Sequence, residues 1–190
     1  MTEARGRSTG KIALFVIIGI IILIAALVIS YHNRLVRSDE KINEQWAQVQ
    51  TQYQRRADLI PNLVETVRGF ASHEENLLKE ITAMRGQYSQ AATPEDYEKA
   101  DAEFTRAINV VVEAYPELTS NENFLALQAE LAGTENRIAV ARKDFNEAVA
   151  SYNRLVRTFP GNIFAGMFGF ETRDLFSATP GAETVPTVQF

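Results

Sequence analysis

The chain has 190 residues and a formal net charge of −5, from 19 Lys and Arg against 24 Asp and Glu. This balance argues against a general nucleic-acid binder, which would carry a basic surface. The absence of cysteine excludes disulfide scaffolds, thiolate metal sites and cysteine nucleophiles, and two histidines are too few for a His-rich metal site.

The N-terminal region divides into a short basic tail, residues 1–11, and an apolar segment that predicts a transmembrane helix over residues 12–31. No charged side chain occurs between Ile12 and Ile29. At ~1.5 Å per residue, this length approaches the ~30 Å thickness of the hydrocarbon core of a bilayer. A cleaved signal sequence would have a shorter apolar core and small residues at its end. We therefore expect an uncleaved anchor in the lipid bilayer.

The flanking charges leave the orientation of this anchor open. Three bases precede the span and three follow it closely, so the positive-inside rule does not separate the two topologies: Arg5, Arg7, Lys11 and Arg34, Arg37, Lys41. We favour a cytoplasmic N-terminus with the remaining chain on the external, periplasmic side.

Beyond the anchor, apolar residues recur with a seven-residue period that is typical of packed helices and not of strands. Two positions of this repeat carry 13 apolar residues in 16: Leu35, Ile42, Val49, Arg56, Leu63, Phe70, Leu77, Met84 and Asp39, Trp46, Tyr53, Ile60, Val67, Glu74, Ile81, Tyr88. The same spacing returns near the end of the chain at Phe124, Leu131, Ile138, Phe145, Tyr152 and Phe159.

Turn and capping residues divide this region into four helices, predicted over 32–69, 73–90, 94–115 and 121–158. Thr93 followed by Pro94 is a strong helix start, and Ser120 or Asn121 can cap the last helix. A break after Gly69 is favoured over one continuous helix, and Pro61 should kink the first helix. The fold class is therefore all-α: an antiparallel up-and-down four-helix bundle over residues 32–159.

A near-repeat sets the expected register of the first and last helices. Asn33–Arg37 and Asn153–Arg157 both read Asn-Arg-Leu-Val-Arg. Antiparallel helices would bring both copies to the membrane end, where they predict a basic collar: Arg34, Arg37, Arg154 and Arg157. The same register predicts a structural polar layer across the bundle centre from Arg55, Arg56, Asp58, Glu135 and Arg137. A charge at the seam position of Arg56 requires such partners.

Residues 160–190 predict an aromatic, glycine-containing segment followed by an extended tail. Gly166 and Gly169 argue against a stable helix there. The segment could fold back on the bundle, enter the lipid headgroup region or cover a neighbouring subunit, and its contact residues are expected to be Phe164, Met167, Phe168, Phe170 and Phe190.

Several runs resemble the LemA family of bacterial membrane proteins. The resemblance covers residues 12–190 and rests on three sets of motifs: Arg55–Val64, Thr134–Ala139 with Tyr152–Asn153, and the C-terminal Phe159–Pro160, Phe168–Phe170 and Val188–Phe190. It implies a single-pass protein of the bacterial cytoplasmic (inner) membrane with a four-helix domain. It implies no catalytic activity, because the family has no agreed active-site motif.

The residues themselves indicate no enzyme, since no di-iron, phosphate-loop or nucleophile motif is present. We expect no catalytic residues, no cofactor and no metal site. The favoured function is a self-associating, homo-oligomeric scaffold that shapes or organises the membrane. The alternative is an adaptor that presents its bundle face or C-terminus to a membrane protease or envelope complex. A third hypothesis is an enzyme or sensor that uses the central polar layer.

Overall fold

The computed structural model describes residues 5–70 and 75–177, with side chains from residue 11 onward. Within these ranges every regular element is a helix, so the all-α fold class is confirmed. The elements are α1 (Arg5–Ala57), α2 (Ile60–Arg68), α3 (Glu75–Gln90), α4 (Pro94–Ala114), a 3-10 helix (Pro116–Ser120), α5 (Glu122–Arg157) and α6 (Gly161–Phe168).

Helix α1 differs from the predicted first helix at both ends. It includes the whole apolar segment, because no helix-breaking residue separates that segment from the periodic region that follows. It ends at Ala57, before the predicted end at residue 69, and α2 begins at Ile60 with Pro61 in its first turn. Proline lacks an N–H group and is tolerated in the first turn of a helix but not in its interior. The kink expected at Pro61 is therefore a complete interruption.

The other helix ends follow the capping residues. Helix α2 ends before Gly69, as the predicted break requires, and residues 71–74, which follow it, lie outside the described residues. Helix α4 begins with a capping box in which Thr93 and Asp96 each accept from the other's backbone N–H. The side chain of Asn121 accepts from the N–H of Phe124 at 3.1 Å and caps α5.

Among the described residues, one compact unit comprises 42–70, 75–149 and 174–177. In it α2 packs against α3, and α3 against α4. Trp46 contacts Phe145, and Arg56 contacts Glu135, so α1 and α5 run antiparallel with facing residue numbers that sum to 191. The core of this unit contains aromatic and aliphatic side chains whose burial contributes ~1.5–3 kcal/mol each, among them Tyr53, Phe104, Leu118, Phe124, Ile138 and Val149.

The second unit comprises residues 1–41 and 150–173. Its buried residues include Leu35, Tyr152 and Ala165, whereas the apolar residues from Ile12 to Ile29 are exposed except for Val28, which is half-buried. A helix of this length and composition is able to cross a membrane.

The segment after α5 is helical, contrary to the expectation from its glycines. Helix α6 spans Gly161–Phe168 and ends at Gly169, whose φ of 74° lies in the left-handed region. Gly166 therefore lies inside the helix, and Gly169 acts as its C-terminal cap. The apolar side chains of α6 pack against α1, and this packing offsets the low helix propensity of glycine, ~1 kcal/mol per residue. Beyond Phe170 the described chain is not helical.

Candidate functional site

Arg56 lies at the centre of a polar cluster in the unit formed by residues 42–149. Its side chain is only 5% exposed. One guanidinium nitrogen, Nη1, donates to a carboxylate oxygen of Glu135 on α5. Its Nε lies 3.1 Å from Oδ1 of Asp101 on α4, and Nη2 lies 3.3 Å from the hydroxyl of Thr105. The cluster therefore connects α1, α4 and α5.

The environment keeps the Arg56 guanidinium charged. Burial by itself would lower the pKa of Arg56, but the Asp101 charge and the hydrogen bond to Glu135 outweigh burial and raise it. The guanidinium also lies over the ring of Phe104, with 5.5 Å between its central carbon and the ring centroid. The cation therefore has two carboxylates and an aromatic face around it, although its Nε makes no hydrogen bond within the described residues.

Two tyrosines adjoin the Arg56 cluster. Tyr88 donates its hydroxyl proton to Asp101 at 2.9 Å, and burial raises the pKa of Tyr88 well above its usual value. Tyr53 stacks on Tyr97 with ring centroids 4.6 Å apart, and burial also raises the pKa of Tyr53. Both phenols therefore remain protonated at neutral pH, where neither can act as a general base.

Burial has the same effect on Asp101. It raises the pKa of this carboxyl, and the opposing influences of the Arg56 charge and the Tyr88 hydrogen bond do not cancel it. Protonation of Asp101 is thus easier in the folded chain than in the unfolded chain.

A cavity of about 470 Å³ opens beside the Arg56 cluster. Its lining combines acids, bases and amides: Glu98, Asp101, Thr105, Arg106, Asn109, Glu135 and Arg142. Arg142 donates to Glu98 at 2.7 Å, so these two charges neutralise each other. Among the side chains that the structure describes, no group of three or more His, Asp or Glu residues is placed to hold a metal ion.

The structure brings together only part of the predicted polar layer. Arg56 and Glu135 meet, but Arg55 is exposed because the adjacent position, Arg56, faces the core. Asp58, another predicted member of the layer, has its described ion pair elsewhere. Asp58 lies in the turn after α1, where its carboxylate is 3.6 Å from Arg85 of α3. Arg137 is exposed on α5, so the register was predicted to within one residue but the side-chain directions were not.

Sequence reasoning missed Asp101, Tyr88 and Thr105 as members of the cluster. A signal for Asp101 existed. It follows Tyr97 by four residues and precedes Phe104 by three, so it lies on the apolar face of α4. A carboxylate at such a position indicates a buried partner of opposite charge. Thr134, also missed, is buried next to Glu135 and donates to the carbonyl of Leu131 at 2.7 Å.

The predicted collar residues lie in the second unit, and all four are exposed: Arg34, Arg37, Arg154 and Arg157. A different arginine organises this region. The Arg173 guanidinium lies 2.9 Å from Asp39, and its backbone N–H donates to the side chain of Asn153 at 2.9 Å. These contacts hold the chain that follows α6 against α1 and α5.

Three of the predicted tail residues contact α1 within the same unit. Phe164 stacks on Tyr31 with ring centroids 4.8 Å apart. The rings of Phe168 and Phe170 both meet His32, with centroids 4.6 Å and 6.1 Å away. Met167 is exposed, and Phe190 lies outside the described residues.

Comparison with known proteins gives a consistent result. A model of the LemA family matches residues 45–190. Magnetosome protein MamQ 2 of Paramagnetospirillum magneticum is 26% identical, over 88% of this chain and 72% of the relative. Magnetosome protein MamQ of Magnetospirillum gryphiswaldense is 23% identical, over 95% and 78% respectively. Protein LemA of Metamycoplasma hominis is 23% identical, over 77% and 69%.

Proposed function

The chain belongs to the LemA family, and we propose that it is a single-pass membrane protein whose helical region self-associates as a non-enzymatic scaffold at the bacterial inner membrane. The observation that carries this proposal is the exposure of the apolar side chains between Ile12 and Ile29 in an otherwise packed chain. A bilayer is the medium that covers an apolar helix of this length.

The Arg56 cluster supports a structural function over a catalytic one. Its carboxylates are engaged by Arg56, and Asp101 also accepts the Tyr88 hydroxyl. A catalytic group has to reach a substrate with a proton or an electron pair to exchange. The groups of this cluster instead use their charges on one another, as expected of a layer that sets the register of packed helices.

A groove between α1 and α5 is the best candidate for the surface that joins two copies. It has a volume of about 570 Å³, and its lining includes Gln48, Gln52, Arg137 and Val140. Val140 is 59% exposed. The side-chain oxygen of Gln52 is buried and accepts no hydrogen bond from the described residues. A donor from a second copy would satisfy this oxygen, whose burial without a partner costs ~1–3 kcal/mol.

Membrane anchoring makes a weak lateral contact sufficient. Copies confined to one bilayer meet at a higher effective concentration than copies free in solution, by the same reasoning that applies to linked binding modules. The groove, whose lining combines Val140 with amides and with the charged Glu44, Arg137 and Asp144, then needs to contribute only a weak contact to assembly in the membrane.

The test is the mass of the full-length protein in mild detergent, measured by light scattering and checked by electron microscopy. We expect a defined assembly of many subunits that Val140→Glu reduces in mass. Val110→Glu is the matched control, because Val110 is 49% exposed on α4, outside the groove, and this variant should assemble normally. A monomeric wild-type protein would contradict self-association.

A monomer would favour the adaptor alternative, in which the external surface or the C-terminus binds another membrane protein. Trimming Val188–Phe190 should then release a partner captured by crosslinking in intact membranes. We propose that the helical region lies on the periplasmic side. An impermeant thiol reagent should therefore label Val110→Cys in cells whose outer membrane alone has been permeabilised.

A further inference from the structure

We infer that α6 is a second membrane contact: an interfacial helix whose outward side chains, Ile163 and Met167, enter the lipid headgroup region beside the anchor. This inference rests on the membrane anchoring proposed above and adds a lipid-binding surface to it. Its observations all lie within one compact unit, residues 1–41 and 150–173.

The first observation is the level at which α6 meets α1. Phe164 stacks on Tyr31 with an interplanar angle of 20°, and Phe168 meets His32 edge-on. Tyr31 lies two residues after Ile29, the last residue of the apolar segment, which corresponds to ~3 Å along a helix. Helix α6 is therefore held where the hydrocarbon core of the bilayer gives way to the headgroups.

The second observation is the composition of α6. Its sequence, Gly-Asn-Ile-Phe-Ala-Gly-Met-Phe, contains no charge and one polar side chain. A helix that is apolar on nearly all sides is expected to be buried. Within this chain only part of it is covered: Ala165 is buried, whereas Ile163 is 53% and Met167 is 63% exposed. Ile163 and Met167 are one helical turn apart, Phe168 is 38% exposed although its ring meets His32, and Phe159, just before the helix, is 80% exposed.

The third observation is that the chain holds α6 in place at both ends. Gly161 contacts the carbonyl of Leu155 so closely that a Cβ atom at this position would overlap it. Gly169, with its positive φ, lets the N–H of Phe170 return to the carbonyl of Ala165 at 2.9 Å. The exposed side chains of α6 are thus presented by a helix that abuts the end of α5 at Gly161 and packs on α1 through Phe164 and Phe168.

Lipid fits this surface better than a second copy of the chain does. The exposed face adjoins the apolar segment of α1, so one bilayer can cover both. Exposed bases flank the region on α1 and at the end of α5, namely Arg34, Arg37, Arg154 and Arg157. Apolar side chains with neighbouring bases are typical of helices that lie ~5–10 Å deep at the boundary between headgroups and acyl chains.

The absence of cysteine allows a direct test with the full-length protein. Single cysteines replace Ile163 or Met167 and carry a polarity-sensitive fluorophore. The protein is reconstituted in vesicles of phosphatidylcholine and phosphatidylglycerol, with nitroxide-labelled lipid whose quencher lies either at the headgroup or in mid-chain. Ile22→Cys labels the anchor, and Val110→Cys is a control with exposure close to that of Ile163.

We expect the fluorophores at positions 163 and 167 to emit at shorter wavelength than the one at 110 and to be quenched more by the headgroup nitroxide than by the mid-chain nitroxide. The fluorophore at 22 should show the reverse order of quenching. If the fluorophore at position 22 is quenched while those at 163 and 167 behave like the one at 110, the inference about α6 is wrong, but the proposed membrane anchoring is supported. If the fluorophore at position 22 is also unquenched, the proposed membrane anchoring is wrong.

A third result would assign the surface to another protein copy. In that case positions 163 and 167 would emit at shorter wavelength without quenching by either lipid, and dilution of the protein into excess lipid would reverse the shift. This outcome would also overturn the inference.

Discussion

At Arg56, a buried guanidinium is held by carboxylates from two other helices. Replacing it with alanine would leave Asp101, whose side chain is 14% exposed, without its cation. We expect Arg56→Ala to lower the free energy of unfolding by ~3–5 kcal/mol, the usual cost of breaking a buried pair from one side. Chemical denaturation of the wild type and the variant in detergent measures this change in the free energy of unfolding.

The control for this substitution is the adjacent residue. Arg55 has the same side chain but is exposed, so Arg55→Ala should change the free energy of unfolding by no more than ~0.5 kcal/mol. If Arg56→Ala left stability unchanged and abolished function in cells, the cluster would be a functional site and not a structural layer.

Asp96 makes the stability of the chain depend on pH. The hydroxyl of Thr93 donates to its carboxylate, as do the backbone N–H groups of Ala92 and Thr93, and these bonds lower the pKa of Asp96. A depressed folded-state pKa stabilises the fold above the unfolded pKa, and this contribution is lost as the pH falls through the folded one.

The measurement compares the wild type with Asp96→Asn across the acid range. The difference in free energy of unfolding should be constant near neutral pH and should shrink below pH ~4. A difference that grew on acidification would show that the carboxylate is not the capping group. The contribution of Asp101 to the pH dependence of stability has the opposite sign, because burial raises the pKa of this carboxyl in the folded state.

At the scale of elements, α6 depends on the close approach of Gly161 to the end of α5. A methyl group there would collide with the backbone carbonyl of Leu155. We expect Gly161→Ala to destabilise the protein by ~1–3 kcal/mol, the cost of overpacking. Gly166→Ala is the control, since nothing lies within 4 Å of its added Cβ, and it should stabilise α6 by ~0.4–1 kcal/mol. Urea midpoints of the two variants should therefore move in opposite directions.

At the scale of the whole molecule, the anchor and the packed core are separable in the sequence. Apart from Val28, the residues from 12 to 29 are exposed, and the buried positions begin at Leu35. A fragment of residues 31–190 should therefore unfold cooperatively, and it should not span a membrane because it lacks the apolar segment. It should be monomeric at concentrations at which the full-length protein is assembled, because it has lost confinement to a bilayer. Analytical ultracentrifugation of the fragment measures this, and assembly equal to that of the full chain would show that the anchor is dispensable.

Features that depend on neighbouring residues along the chain could be predicted without the structure. The uncharged run from Ile12, the helical period after Leu35 and the cap at Thr93 all follow from local sterics, hydrogen bonding and hydrophobicity, whereas at Pro61 only a kink was predicted and not the interruption that the structure shows. The LemA resemblance was also confirmed from the sequence. These features account for the fold class. They also single out Arg56 and Glu135 as polar residues of their helices, but they do not show that these two side chains meet.

Contacts between residues that are distant in the chain were visible only in the fold. Asp101 joins Arg56 from a position 45 residues away, and Asp58, which was predicted for the same layer, lies beside Arg85 of α3. Such pairs depend on the rotation of each helix about its axis, and a shift of one residue changes the direction of a side chain by about 100°. Likewise, the low helix propensity of Gly166 predicted no helix, but Phe164 and Phe168 pack against α1 and the segment is helical. Packing between helices outweighs the propensity of a single residue, and that packing cannot be read from one stretch of sequence.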